Sequence, residues 1–210
     1  MRGKMRGKID RMIFATGNAG KMKEIRMIMA DFGMEILSMK EAGIQADIEE
    51  NGTTYEENAL IKARAVAALT GSLVLADDSG LEVDWLGKEP GVHSARYMGE
   101  DTSYNIKNAN IISRLEGVPE EKRTARFVCA IAAVFPDGRE LTVRAAVEGR
   151  IGYEEKGANG FGYDPIFYVP ELQKTTAELT EEEKNQISHR GRALRLMKEE
   201  LKKDENFDCQ

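Results

Sequence analysis

Two adjacent carboxylates, Asp77 and Asp78, follow the apolar run Ser72-Leu73-Val74-Leu75-Ala76, and Ser79-Gly80 comes directly after them. The run reads as a short buried strand that the Ser-Gly pair breaks. Extended backbone sends neighbouring side chains to opposite sides, so the two acids should do different work. One could turn toward the backbone while the other faces a cleft at the carboxyl end of the strand, where ligands of open α/β sheets gather. Solvated turn acids have the same sequence, so the pair alone does not establish chemistry.

A second segment lies near the start. Residues 11–15 form a strand candidate, followed by Thr16-Gly17-Asn18-Ala19-Gly20-Lys21 and an amphipathic run carrying Met22, Ile25, Ile28, Met29 and Phe32, closed by Gly33. Strand, glycine turn and helix aim backbone N–H groups and a helix N-terminus at an anion. Asn18 tolerates left-handed geometry, the glycines permit close approach, and Lys21 adds a point charge for phosphate. The segment is neither a Walker A loop nor a GxGxxG fingerprint. A tight turn with a solvated lysine is the plainer alternative.

The third segment, Gly160-Phe161-Gly162-Tyr163-Asp164-Pro165-Ile166-Phe167, alternates glycine with aromatics. Such spacing lets a planar ring slide between side chain and backbone, and Asp164 can accept hydrogen bonds from a base edge or a ribose. Downstream, Thr180 and Ser188 are helix-start signals, the second placing His189 and Arg190 in a first turn.

Together these segments closely resemble the inosine triphosphate pyrophosphatase, or Ham1-like, family. The matching stretches are FATGNAGKMKEI (14–25), EENGTTYEENALIKA (49–63), LADDSGLEVDWLGKEPGVHSARYMGE (75–100), and GANGFGYDPIFYVP through ISHRGRAL (157–194). They keep the family's order and spacing over nearly the whole chain. The resemblance implies an α/β fold: an elongated mixed sheet flanked by helices, with two lobes and a nucleotide cleft between. It implies hydrolysis of ITP, dITP and XTP to the monophosphate and pyrophosphate, and a homodimer.

That reaction needs water to attack the α-phosphorus, an acceptor for its proton, and cations to offset charge on the departing pyrophosphate. A hard divalent ion held by carboxylates supplies much of this, so magnesium is the expected cofactor, with manganese as a substitute. Asp78 is the candidate metal ligand and proton acceptor. Glu50 matches the family's metal-binding glutamate; without the resemblance, Glu49 and Glu50 are ordinary loop acids. Thr16, Gly17, Asn18, Ala19, Gly20 and Lys21 should hold the phosphates, assisted by Ser79. Lys184 matches a substrate-contacting lysine, its alternative being a surface partner of Glu181. Phe161 would stack on the purine, with Gly162, Tyr163 and Asp164 shaping base and sugar contacts. His189 and Arg190 match the base-recognition pair. The other histidine, His93, is read as structural, and two dispersed histidines make a zinc site unsuitable.

The 210 residues suffice for one domain, or two lobes sharing a core, here drawn as a flexible extension over 1–10 and a single α/β domain over 11–205. A net charge of −6 argues against a protein that coats a nucleic-acid polymer, though not against a nucleotide substrate. Cys129 and Cys209 do not make a disulfide framework. Neither a signal peptide nor a membrane-length apolar run is present, so no membrane partner and a cytoplasmic location are expected. The repeat Met1-Arg2-Gly3-Lys4, Met5-Arg6-Gly7-Lys8 is given no function.

The remaining pattern alternates helix and strand. Residues 35–39 form a second strand, and Thr53 or Thr54 opens a helix that ends before Gly71. Ser103 starts another helix, with Ile106, Ala109, Ile111, Ile112 and Leu115, ending at Gly117. Segments 124–135 and 140–147 are strands joined by Pro136-Asp137-Gly138, and a last helix covers 188–203.

Overall fold

Among the described residues, one apolar cluster gathers around Ile13, Ala59, Val66 and Val74 and another around Leu81, Ile111, Phe127 and Phe167. The structure, a computed structural model, describes residues 11–204. The extension over 1–10, its repeat and Cys209 lie outside these residues.

The first unit contains residues 11–78, 130–144 and 193–204 of the described chain. It opens with β1 (Arg11–Phe14), α1 (Ala19–Met29), β2 (Glu35–Ser38) and α2 (Tyr55–Thr70). β1 pairs in parallel with β2 on one side and with β3 (Val74–Val83) on the other. Asn18 caps α1, and Gly33 closes the short turn after it at φ 71°, a left-handed value that suits glycine. Thr54 and Glu57 form a capping box at the head of α2, and Gly71 ends the helix at φ 61°. Ala59, Ala63 and Val66 form its buried stripe, packed against Ile13, Val74, Ala76 and Ala132.

The second unit contains residues 79–129 and 145–192. The later elements are α3 (Tyr104–Arg114), β4 (Thr124–Val134), β5 (Glu140–Ile151), β6 (Phe167–Val169), β7 (Lys174–Thr175), α4 (Glu181–Ile187) and α5 (His189–Lys202). Leu81, Val83, Ile111, Leu115, Phe127 and Phe167 lead the second core. Arg123 is buried beside it without needing an acid: its guanidinium donates to the carbonyls of Leu115, Ile151 and Gly152. The seven strands run in the order β2-β1-β3-β4-β5-β6-β7, with β6 antiparallel to both β5 and β7, so the sheet is mixed as expected.

Three sequence expectations are corrected. Asp77 and Asp78 do not stand at a strand end, because β3 continues through Ser79-Gly80 to Val83. Leu81 and Val83 are drawn into the second core, and the Leu81 N–H donates to Ser94 Oγ (2.9 Å), which keeps the backbone extended. β5 runs on to Ile151 rather than stopping at 147, because Arg150 and Ile151 pair with Tyr168 and Phe167. On α3 the inward face is Lys107, Asn108 and Ile111; Ile106 is 54% exposed, and the helix ends at Arg114.

Candidate active site

In the first unit the turn after β1 reaches α1 through an ordered hydrogen-bond path. Asn18 N–H donates to Thr16 Oγ1 (3.2 Å), and Lys21 N–H donates to Asn18 Oδ1 (3.0 Å). Asn18 is extended (φ −84°, ψ 112°) and does not use the left-handed geometry it tolerates: as helix cap it aims its side chain at the first turn. A Cβ on Gly17 would meet open space, so within this chain nothing demands glycine there. The bare backbone at Gly17 leaves room for a ligand instead. No acid occupies the first turn of α1, so its positive end is unopposed.

The adjacent aspartates have separate partners, as the alternation of extended chain requires. Asp77, 1% exposed, holds Lys21 Nζ between its two oxygens at 3.2 and 3.0 Å. Asp78, 8% exposed, accepts from Asn58 Nδ2 at Oδ2 (3.1 Å) and lies 4.0 Å from Lys62 Nζ at Oδ1. Lys62 Nζ also contacts Glu50 Oε2 at 2.8 Å. Burial holds the Asp78 carboxyl above the usual carboxylate range, Lys62 and Asn58 pull it down, and Glu50 pushes it up again. Burial alone would lower the Lys62 ammonium, but Asp77, Asp78 and Glu50 outweigh it and keep the lysine charged.

Asn58 and Lys62 were not singled out from sequence, although both lie inside the 49–63 stretch. Their signal is spacing: four apart on α2, they share one helix face beside the Ala59, Ala63, Val66 stripe. Asn58 has a second task, since its Oδ1 accepts from Gly52 N–H (2.8 Å) and so fixes the loop that carries Glu50. A Cβ on Gly52 would fall 2.7 Å from that same oxygen, which explains the glycine.

Among the described residues no cluster of three or more His, Cys, Asp or Glu side chains forms a metal cage. Magnesium does not require one, because it binds through one or two carboxylates plus water and substrate phosphate oxygens. Glu50 and Asp78 supply two hard oxygen donors, and the Lys62 ammonium already stands beside both as a cation would. The donor set therefore fits that ion.

In the second unit the Gly160–Asp164 loop is built around the Asp164 carboxylate. Asp164 Oδ2 accepts from Phe161 N–H (2.8 Å) and Lys184 Nζ (2.7 Å), while Oδ1 accepts from Thr176 Oγ1 (2.8 Å). Asp164, expected to touch base or sugar, is thus buried and engaged in holding its own loop. Gly160 and Gly162 sit at φ 75° and 71°, and a Cβ on Gly160 would overlap Asp164 Oδ2 at 2.3 Å. These glycines are required by the turn itself.

The loop leaves the Phe161 ring 39% exposed, with Lys184 Nζ 4.6 Å and Arg190 Cζ 5.6 Å from its centroid. Arg190 Nη2 donates to Ser79 Oγ (3.2 Å). His189 stacks on Phe127, centroids 4.8 Å apart and planes at 19°, a partner that the sequence did not reveal because Phe127 reads as ordinary strand core. Tyr163 is buried, its hydroxyl donating to Ser94 O (2.7 Å), so it serves as a support. His93 accepts from Arg96 Nε (3.1 Å) within the 90–96 turn, in keeping with a structural place.

The Ham1 family model matches residues 12–200. The dITP/XTP pyrophosphatase of Exiguobacterium sibiricum is 49% identical over 191 residues, covering 91% of this chain and 96% of that protein. The Bacillus subtilis (strain 168) dITP/XTP pyrophosphatase is 49% identical over 185 residues, covering 88% and 93%. Among solved structures, the Staphylococcus aureus Ham1 protein superposes with a TM-score of 0.83 at 41% identity over 92% of this chain and 98% of that one. A HAM1 protein from Coxiella burnetii gives 0.84 at 40% identity over 92% and 99%. With the resemblance of the sequence motifs now matched by relatives and by fold, the chain belongs to the Ham1 family.

Proposed function

We propose that this protein hydrolyses deaminated purine nucleoside triphosphates, ITP, dITP and XTP, to the monophosphate and pyrophosphate. The observation that carries the reading is geometric: the buried Asp78 carboxylate accepts from Asn58 Nδ2 (3.1 Å) and shares the Lys62 ammonium with Glu50, at 4.0 and 2.8 Å. A carboxylate held in place by an amide and beside cations can both bind a hard metal ion and take a proton from water. The names of the relatives, dITP/XTP pyrophosphatases, support the substrate class.

In this reading the oxygen of water bonds to the α-phosphorus, its proton passes to Asp78, and the bond from that phosphorus to the bridging oxygen breaks. Asn58 orients Asp78 through Oδ2. Lys21, Lys62 and the unopposed N-terminus of α1 offset charge on the phosphates and on the departing pyrophosphate. Glu50 and Asp78 would hold magnesium, or manganese in its place, which when bound adds positive charge against the phosphate oxygens.

Phe161 offers a ring face for the purine, and Arg190 offers donors for a 6-oxo group. Hypoxanthine and xanthine accept at that position where adenine donates, so ATP would leave buried donors unmatched. Such a mismatch discriminates by factors of about 10⁴.

The same proposal includes a homodimer, expected from the family resemblance, and a cytoplasmic location. No helix of the described residues is long and apolar enough to cross a membrane. Pyrophosphate release from ITP, XTP, dITP, ATP and GTP, with magnesium and with chelator, tests the reading. Equal turnover of ITP and ATP would defeat the specificity, and full activity in chelator would remove the metal.

A further inference from the structure

We infer that Asn108 on α3 is a positioning residue that sets specificity by clamping the loop around Phe161. The inference rests on the functional reading above, in which that loop receives the base. Tyr104, Lys107 and Asn108 stand three and four residues apart, so one face of α3 presents all three. Each meets a segment of the frame around Phe161. Asn108 Nδ2 donates to Gly162 O (3.3 Å) and to Glu155 Oε1 (2.7 Å). Lys107 Nζ donates to Ala95 O (2.6 Å), next to the Ser94 carbonyl that receives the Tyr163 hydroxyl. The Tyr104 ring meets Tyr163 edge-on at 5.2 Å, and its edge would lie 3.6 Å from a Cβ on Gly162.

What singles out Asn108 is a mismatch. The side chain is fully buried, yet its Oδ1 is buried with no hydrogen-bond partner. An orphaned acceptor works against folding, and a leucine of similar size would fill the site without it. The amide is therefore explained by its donor end, which ties the carbonyl of Gly162 to Glu155 and holds the left-handed glycine turn after Phe161 in one place. Structural sites that break a folding rule without local benefit are where function is expected to be served. The partners of Asn108, Gly162 and Glu155, belong to the loop around Phe161, so the clamp should act on base binding and leave the chemical step alone.

The test compares kcat and KM for ITP and ATP in the wild type, Asn108→Leu and Glu155→Ala, with thermal midpoints for each. Glu155 is exposed, so its truncation should leave the fold intact even if the buried substitution does not. For Asn108→Leu, KM for ITP should rise roughly tenfold with kcat within about twofold, the loss expected of one buried hydrogen-bond network. Glu155→Ala should move the same way by roughly threefold. ATP, which gains little from the base pocket, should change less than twofold in kcat/KM, so the preference for ITP shrinks. A parallel fall for both substrates, or a fall in kcat at constant KM, would overturn the clamp as a specificity device. If Asn108→Leu does not fold, Glu155→Ala decides alone: an unchanged ITP preference would sink the proposal. Wild-type protein that does not prefer ITP refutes the functional reading instead, so the two failures are told apart.

Discussion

Lys21 and Lys62 of the first unit reach Asp77 and Glu50 from two different helices, across 56 and 12 residues of sequence. In the second unit the Asp164 carboxylate is the centre of its own loop, ringed by positive-φ glycines, Thr176 and Lys184 of α4. Regular elements place Asp77, Asp78 and the lysines that face them, whereas backbone turns place the Phe161 ring that would receive the base. The difference teaches where each property is stored. Rate should depend on positions within a strand and a helix that are hard to move, and selectivity on a loop whose glycines cannot be exchanged but whose supports can be tuned.

The sharpest way to break this division is Asp78→Asn, which keeps shape and removes the proton acceptor. Turnover of ITP should fall about 10³-fold, while nucleotide affinity measured by calorimetry stays within a few fold. A variant that loses affinity but keeps turnover would reverse the assignment. Phe161→Ala makes the opposite cut. It should raise KM for ITP roughly tenfold or more, the size of one base–aromatic stack, with kcat little changed. A loss in kcat of equal size would show that the loop takes part in the chemical step.

Smaller effects sharpen the comparison. Thr54→Ala removes the cap from the helix carrying Asn58 and Lys62, and should cost about 1 kcal/mol by denaturant unfolding. Because those two residues serve Asp78, kcat should drop modestly and the preference for ITP should not. The smallest concerns pH. Ser38 N–H and its hydroxyl, then Arg26, lower the Glu41 carboxyl from 4.5 to about 2. A depressed folded-state pKa contributes stability above the unfolded value, and that contribution is lost as pH falls toward the folded one. The thermal midpoint should therefore decline between pH 4.5 and about 2, and Glu41→Gln should flatten that decline. An unchanged slope would leave the pair without effect on stability.

Much of this was legible in the residues. Helix caps at Thr54 and Thr180, the Gly33 and Gly71 stops and the 136–138 turn are local signals, and local hydrogen bonds decide them. The different duties of Asp77 and Asp78 followed from strand alternation alone. Where β3 ends was not legible, because Ser-Gly is a turn signal unless the residues beyond it are buried, and Leu81 and Val83 are buried by tertiary contacts. Asn58 and Lys62 were missed because a polar helix face usually points to solvent; here it points at a carboxylate 20 residues away for Asn58. Phe127 under His189 was hidden for the same reason in reverse, since an apolar residue in a strand already has an explanation. Glu50, Lys184, His189 and Arg190 came from family resemblance, and their own neighbourhood in sequence would not have found them.

The alternation of β3 has an evolutionary consequence. Inserting or deleting a single residue between Val74 and Asp77 would exchange the sides on which the two acids emerge, handing the lysine anchor's place to the proton acceptor. The strand can therefore change length ahead of the pair only by even steps, and descendants of this chain should vary there by substitution while tolerating odd-numbered length changes in the loops that flank it.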